Sequence, residues 1–259
     1  MTKLRLLIVC FLVIALFITG CSWKNHLAQK DGKTANFPPV PANNQSPDPA
    51  NNGSGVQNGT DMQVVSNPDV IPVLVNKHNM LPDNYNPSDL VDPDIPFIFE
   101  KKLEKRKMRV AAAAAIEKLF AGAKRDGVSL LGVSAYRSRD TQTSLFNHYV
   151  NVDGYEAART YSAVPGTSEH ETGLAIDVTG GNGKCAAEDC FEGTLEADWL
   201  QEHASEYGFI IRYPKGKDTI TGYQYEPWHL RYVGKAIAKE IMSRGITLEE
   251  YLETAQVNN

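Results

Sequence analysis

Apolar positions along the chain fall into two regimes. Leu6 to Ile18 is an almost unbroken apolar run behind Lys3 and Arg5. It is shorter than the roughly 20 residues a membrane span needs. A charged start with an apolar middle fits a secretory signal. From Ser22 to Asp69 large apolar residues are rare and Asn, Pro, Gly and Ser prevail. Such a segment cannot bury enough surface to offset its ordering entropy. Beyond Val70 the pattern turns periodic. Ile71 to Val75 reads as a short edge strand or extended arm. Leu103 to Arg125 reads as a helix with Ile116, Leu119, Phe120 and Ala123 on one stripe, closed by Gly127. Ser129 to Tyr136 reads as a buried strand. Arg139 to Val150 reads as a helix with Leu145, Phe146 and Tyr149 inward. Leu174 to Val178 is a short strand, with Leu174, Ile176 and Val178 facing the core and Ala175 and Asp177 facing the other way. Further helices are expected over Leu195 to Tyr207, Val233 to Ser243 and Thr247 to Thr254. Further strands are expected over Phe209 to Tyr213 and Tyr223 to Leu230. Helices mixed with short strands predict an α+β domain, a small and mainly antiparallel sheet flanked by helices.

These regimes divide the 259 residues into a signal over 1–20, a disordered Asn/Pro/Gly-rich linker over 21–69 and a folded domain over 70–259. The signal ends Ile18-Thr19-Gly20-Cys21, like a bacterial lipoprotein signal in which Cys21 becomes the lipidated N-terminus; an uncleaved signal-anchor helix is the other reading. Either places the remainder outside the membrane. Cys185 and Cys190 could then close a small disulfide loop; a metal role is the alternative, but no second Cys or His pair sits nearby in sequence. The net charge of -5 and the absence of a long basic run argue against a nucleic-acid partner. Nothing calls for more than a monomer.

Two segments carry chemistry: Ser168-Glu169-His170-Glu171-Thr172-Gly173-Leu174-Ala175-Ile176-Asp177 and Glu226-Pro227-Trp228-His229. His170, Asp177 and His229 offer two imidazoles and a carboxylate, the donor set of a catalytic zinc that keeps a fourth place for water. Glu226, three residues from a ligand, could move that water's proton to a leaving amine. His170 is an odd number of residues from Asp177, so a straight strand would part them; Gly173 offers the bend. Pro227 argues against a regular helix or central strand there. Taken singly, each residue has an ordinary structural explanation. Together they point to a zinc hydrolase. No Gly-x-Ser-x-Gly or Ser-x-x-Lys segment supports a serine enzyme.

Ser168-x-His170-x-x-Gly173-x-Ala175-x-Asp177 followed by Glu226-x-Trp228-His229 resembles the signature of the VanY-type D-alanyl-D-alanine carboxypeptidases, a zinc peptidase group that includes lysostaphin-like and hedgehog-type domains. Ala135-Tyr136-Arg137-Ser138, Tyr207-Gly208-Phe209-Ile210 and Arg212-Tyr213-Pro214 look like further family segments. The resemblance implies one Zn2+ on His170, Asp177 and His229, and Glu226 as general base and then acid. It implies that Arg137 stabilises the oxyanion or holds the substrate. Ser168 and Gln142 are implied to bind the substrate's terminal carboxylate or backbone. The implied partner is a peptidoglycan stem ending in D-Ala-D-Ala, from which the terminal D-alanine is removed. An L,D-carboxypeptidase, a D,D-dipeptidase and a non-catalytic zinc-binding wall module share the pattern.

Overall fold

The computed structural model describes residues 62–257. The signal segment, Cys21 and the linker up to residue 61 lie outside the described residues. Structure begins ahead of the expected boundary at residue 70. Gln63–Val64 (β1) pairs in parallel with Asn79–Met80 (β2). The 71–75 stretch between them is an extended arm and forms no strand, although Val73 and Val75 are buried.

Leu90–Val91 (β3) pairs antiparallel with Met108–Arg109 (β4). This pair corrects the helix predicted from Leu103. Glu104–Arg106 is a single 3-10 turn, and the helix α1 starts only at Val110 and runs to Arg125. Two contacts hold the start extended: Met108 is fully buried, and the Arg109 N–H donates to the Gly173 carbonyl. Tertiary pairing here overrides local helix propensity. Leu130–Ser134 (β5), the helices Arg139–Asp153 (α2) and Tyr155–Tyr161 (α3), and Ala175–Gly180 (β6) follow. On α2 only Phe146 of the three predicted inward residues is fully buried; Leu145 and Tyr149 are half-buried. Then come Leu195–His203 (α4), Phe209–Ile211 (β7), Asp218–Thr221 (α5), His229–Tyr232 (β8), Lys235–Arg244 (α6) and Leu248–Val257 (α7). The strand expected over Tyr223 to Leu230 forms only from His229. The helix expected up to Tyr207 ends at His203 and passes into a 3-10 turn over Ala204–Tyr207.

The main sheet runs β5-β6-β8-β7, antiparallel throughout. Leu174, Ile176, Val178, Leu230, Phe209 and Ile211 join the inner residues of α1 and α4 in one apolar cluster. Ile210 belongs to a second cluster, with Val233, Ala238, Ile241 and Leu248 from α6, α7 and their approaches. α1 and α4 thus close one face of the sheet, while α6 and α7 pack on Ile210 at the edge of the opposite face, which Asp177 shares by alternation. Cys185 and Cys190 are joined by a disulfide within the loop after β6.

Candidate active site

Asp177 on β6 and His229 on β8 are direct cross-strand partners. Directly opposed residues project to the same face with their Cβ atoms about 4.5–5.5 Å apart. His170 arrives from the 3-10 turn Glu169–Thr172, which Gly173 ends in the left-handed region at φ 68°. A Cβ there would also come within 2.8 Å of the Leu90 side chain, so the bend is reserved for glycine. The Arg137 N–H donates to the His170 carbonyl and ties the end of β5 to this turn.

His170, Asp177 and His229 are all buried, and each offers a ligand atom within 4.8 Å of the others. His170 Nε2 lies 3.3 Å from Asp177 Oδ2, and His229 Nδ1 lies 3.1 Å from Asp177 Oδ1. Metal–ligand bonds of roughly 2.0–2.2 Å in a tetrahedron separate neighbouring ligand atoms by about 3.3–3.6 Å. The donor set therefore fits a zinc ion. Two further observations agree. Asp177 Oδ1 is buried without a hydrogen-bond donor. His170 Nδ1 donates to the Ala135 carbonyl at 2.7 Å, which fixes the tautomer and leaves Nε2 as the ligand atom.

Glu226 and His229 are the ends of a β-turn. The His229 N–H donates to the Glu226 carbonyl, with Pro227 as first central residue. The turn brings Glu226 Oε2 to 3.5 Å from His229 Nδ1. Burial pushes the Glu226 carboxyl up to about 7, against the opposing pull of His229. Arg137, half-buried, donates from Nη1 to Gln142 Oε1 at 2.7 Å, and Gln142 Nε2 donates to the Ala163 carbonyl. Burial lowers the Arg137 guanidinium while the Asp177 charge supports it. Ser168 is buried, and its hydroxyl makes no hydrogen bond among the described residues. Trp228 belongs to the core.

The motif reading passed over a second layer beneath His229. Glu169 is fully buried and accepts from Arg212 Nε at 2.6 Å and Arg231 Nη1 at 2.5 Å through one oxygen, Oε1. Its other oxygen, Oε2, lies 3.5 Å from His229 Nε2. Arg212 also pairs with Glu249 on α7, which accepts from Asn76. Arg231 reaches the 71–75 arm through the carbonyls of Ile71 and Val73. It stands opposite Ala175, so the small residue leaves space beside a guanidinium. Burial alone would raise Glu169; the Arg212 and Arg231 charges outweigh it and hold the carboxyl well below its usual range. Burial alone would lower His229; Asp177 and Glu169 outweigh it and push the imidazole up to about 10, as expected where carboxylates favour a cation. The sequence signal was available: Arg212 and Arg231 interrupt apolar strands, and a buried arginine demands a carboxylate.

The geometry is that of a hydrolytic metal centre, and the comparisons agree. Residues 105–235 match the VanY family, D-alanyl-D-alanine carboxypeptidase. The chain is 42% identical to the YodJ protein of Bacillus subtilis (strain 168) over 93% of both chains. Among solved structures, the LdcB LD-carboxypeptidase, described with its peptidoglycan recognition, matches at 47% identity and TM-score 0.72, over 77% of this chain and 93% of that one. A vancomycin resistance D,D-pentapeptidase VanY in complex with Zn(II) matches at 33% identity and TM-score 0.56, over 70% of this chain and 98% of that one. The chain thus belongs to the VanY family and is a carboxypeptidase.

Proposed function

We propose that the chain is a zinc L,D-carboxypeptidase that removes the terminal D-alanine from tetrapeptide stems of peptidoglycan. The observation that carries the reaction is the convergence of His170, Asp177 and His229 beside Glu226. The stem length rests on likeness: similarity is higher to the LD-carboxypeptidase than to the D,D-pentapeptidase. The family description favours the second reading, a D,D-carboxypeptidase acting on pentapeptides.

His170 Nε2, His229 Nδ1 and an Asp177 oxygen would hold the ion. Zinc supplies, when bound, an acidified water and a polarised carbonyl. Glu226 takes the proton of the attacking water and returns it to the leaving amine. Arg137 stabilises the oxygen that becomes anionic. Gln142 fixes the Arg137 fork, and Ser168 offers a free hydroxyl to the terminal carboxylate.

Synthetic tetra- and pentapeptide stems separate the readings. D-Alanine should be released from the tetrapeptide at least about tenfold faster in kcat/KM, a difference of roughly 1.4 kcal/mol in the barrier. Chelation should abolish release, and added zinc should restore it. Preference for the pentapeptide would establish the D,D reading, and chelator-insensitive release would overturn zinc dependence.

The proposal extends to location: the chain works outside the membrane, held by lipid on Cys21 and a tether whose random-coil reach is on the order of 40 Å. The charged start, the apolar run and Cys21 support this, as does a Cys185–Cys190 bond suited to an oxidising compartment. No helix among the described residues is long and apolar enough to cross a membrane. Labelled palmitate should enter the wild-type chain and not Cys21→Ala; equal labelling would exclude this anchor.

A further inference from the structure

A cavity lies two aromatic rings away from His229. The Tyr223 ring lies against Tyr213, tilted, at 4.7 Å between centroids, and Tyr213 lies 4.9 Å from the His229 ring. Tyr223 also carries Lys77, whose Nζ sits 4.4 Å from the ring centroid. Lys77 and Tyr223 line this cavity together with Arg159, Ser162 and Thr167. It offers about 60 Å³. That is room for about four water-sized groups, the size of a carboxylate and the carbons that bear it. Thr167 is the residue before Ser168, so the cavity adjoins the cleft through the chain as well.

The lining is built for an anion. Burial lowers the Lys77 ammonium, and the nearby Arg159 charge presses in the same direction. Among the described residues no carboxylate pairs with Lys77. Arg159 lies over the Tyr155 ring at 5.9 Å, and its one carboxylate partner among the described residues is the exposed Glu156, at 3.6 Å. Ser162, 7% exposed, lines the cavity, and its hydroxyl makes no hydrogen bond among the described residues. Gly222, at φ 78°, leaves room for the Lys77 stem, since a Cβ there would lie 3.0 Å from Lys77 Cδ.

We propose that this cavity is a substrate subsite: Lys77, Arg159 and the Ser162 hydroxyl bind a second carboxylate of the wall peptide, distinct from the terminal one assigned to Ser168. The proposal rests on the carboxypeptidase reading above and adds a specificity element to it. Charge-assisted bonds from an ammonium and a guanidinium are the strong ones, about twice a neutral hydrogen bond. An amide in place of the carboxylate would offer neither cation an opposite charge within the cavity.

The test titrates two tetrapeptide stems into the zinc-loaded full chain carrying Glu226→Gln, which keeps both peptides intact. The peptides differ only upstream of the cut, where one bears a free side carboxylate and the other its carboxamide. The free acid should bind at least tenfold more tightly by calorimetry. Adding Lys77→Gln with Arg159→Gln should shrink that ratio below threefold, and Lys77→Arg alone should retain most of it. Equal binding of the two peptides, or an unchanged ratio in the double variant, overturns the subsite. If glycerol phosphate binds instead, and is lost in the double variant while the peptides stay undistinguished, the site serves a phosphate polymer and the peptide assignment is wrong. D-Alanine release by the chain with Glu226 intact is measured in parallel. Its absence would overturn the carboxypeptidase reading, and the binding ratio still decides the subsite.

Discussion

Glu226→Gln should lower kcat for D-alanine release by about 10²–10⁴-fold, the usual contribution of a positioned acid–base group, while zinc stays at one ion per chain. Glutamine preserves the volume and the turn with Pro227 but cannot take a proton. The turn is fixed by backbone bonds, Glu226 N–H to the Tyr213 carbonyl and His229 N–H to the Glu226 carbonyl, and neither involves the altered side chain. Burial holds the carboxyl up near 7, so it is poised to exchange protons near neutrality. KM should change little, because the loss falls on the transition state. Stem-peptide kinetics and metal analysis on the same preparation check this. Native turnover with zinc in place would remove Glu226 from the mechanism.

Glu169→Ala should weaken zinc binding by about 10–100-fold, as loss of an outer-shell partner does. It should also destabilise the fold by roughly 3–5 kcal/mol, because it strands buried guanidinium groups. The chain of contacts gives the reason: Glu249 and Glu169 neutralise Arg212, Glu169 neutralises Arg231, and Glu169 Oε2 faces the His229 nitrogen that points away from Asp177. A chelator competition gives the affinity, and urea unfolding of the apo chain gives the stability. Zinc bound as tightly as in wild type would reduce Glu169 to a core ion pair. The network also sets an acid dependence. Glu169 and Glu249 both titrate below their ordinary range. Their contribution is therefore complete above about pH 4.3 and fades as pH falls toward the lower folded values. Glu249→Gln should flatten that fall.

The chemistry was legible because few ordinary explanations cover two imidazoles, a carboxylate and a nearby glutamate in spaced motifs. The strand parity around Asp177 and the bend at Gly173 followed from side-chain alternation and glycine's freedom. Pro227 signalled an irregular stretch, and the β-turn that carries Glu226 is that stretch. Three things stayed out of reach. The extended segment before α1 depends on Gly173 and on a buried Met108, contacts that no local pattern encodes. The short helices α3 and α5 have too few turns to show a period. Glu169, Arg212 and Arg231 meet across long sequence separations, and only their burial turns three charges into one unit.

Asp177 and His229 belong to different strands yet face each other across one rung of the ladder. Sliding β8 by a single residue would turn His229 to the opposite side of the sheet. An ion that needs both ligands therefore rewards only the correctly zipped sheet. Metal binding then proofreads folding, and a misaligned chain should reveal itself by failing to retain zinc.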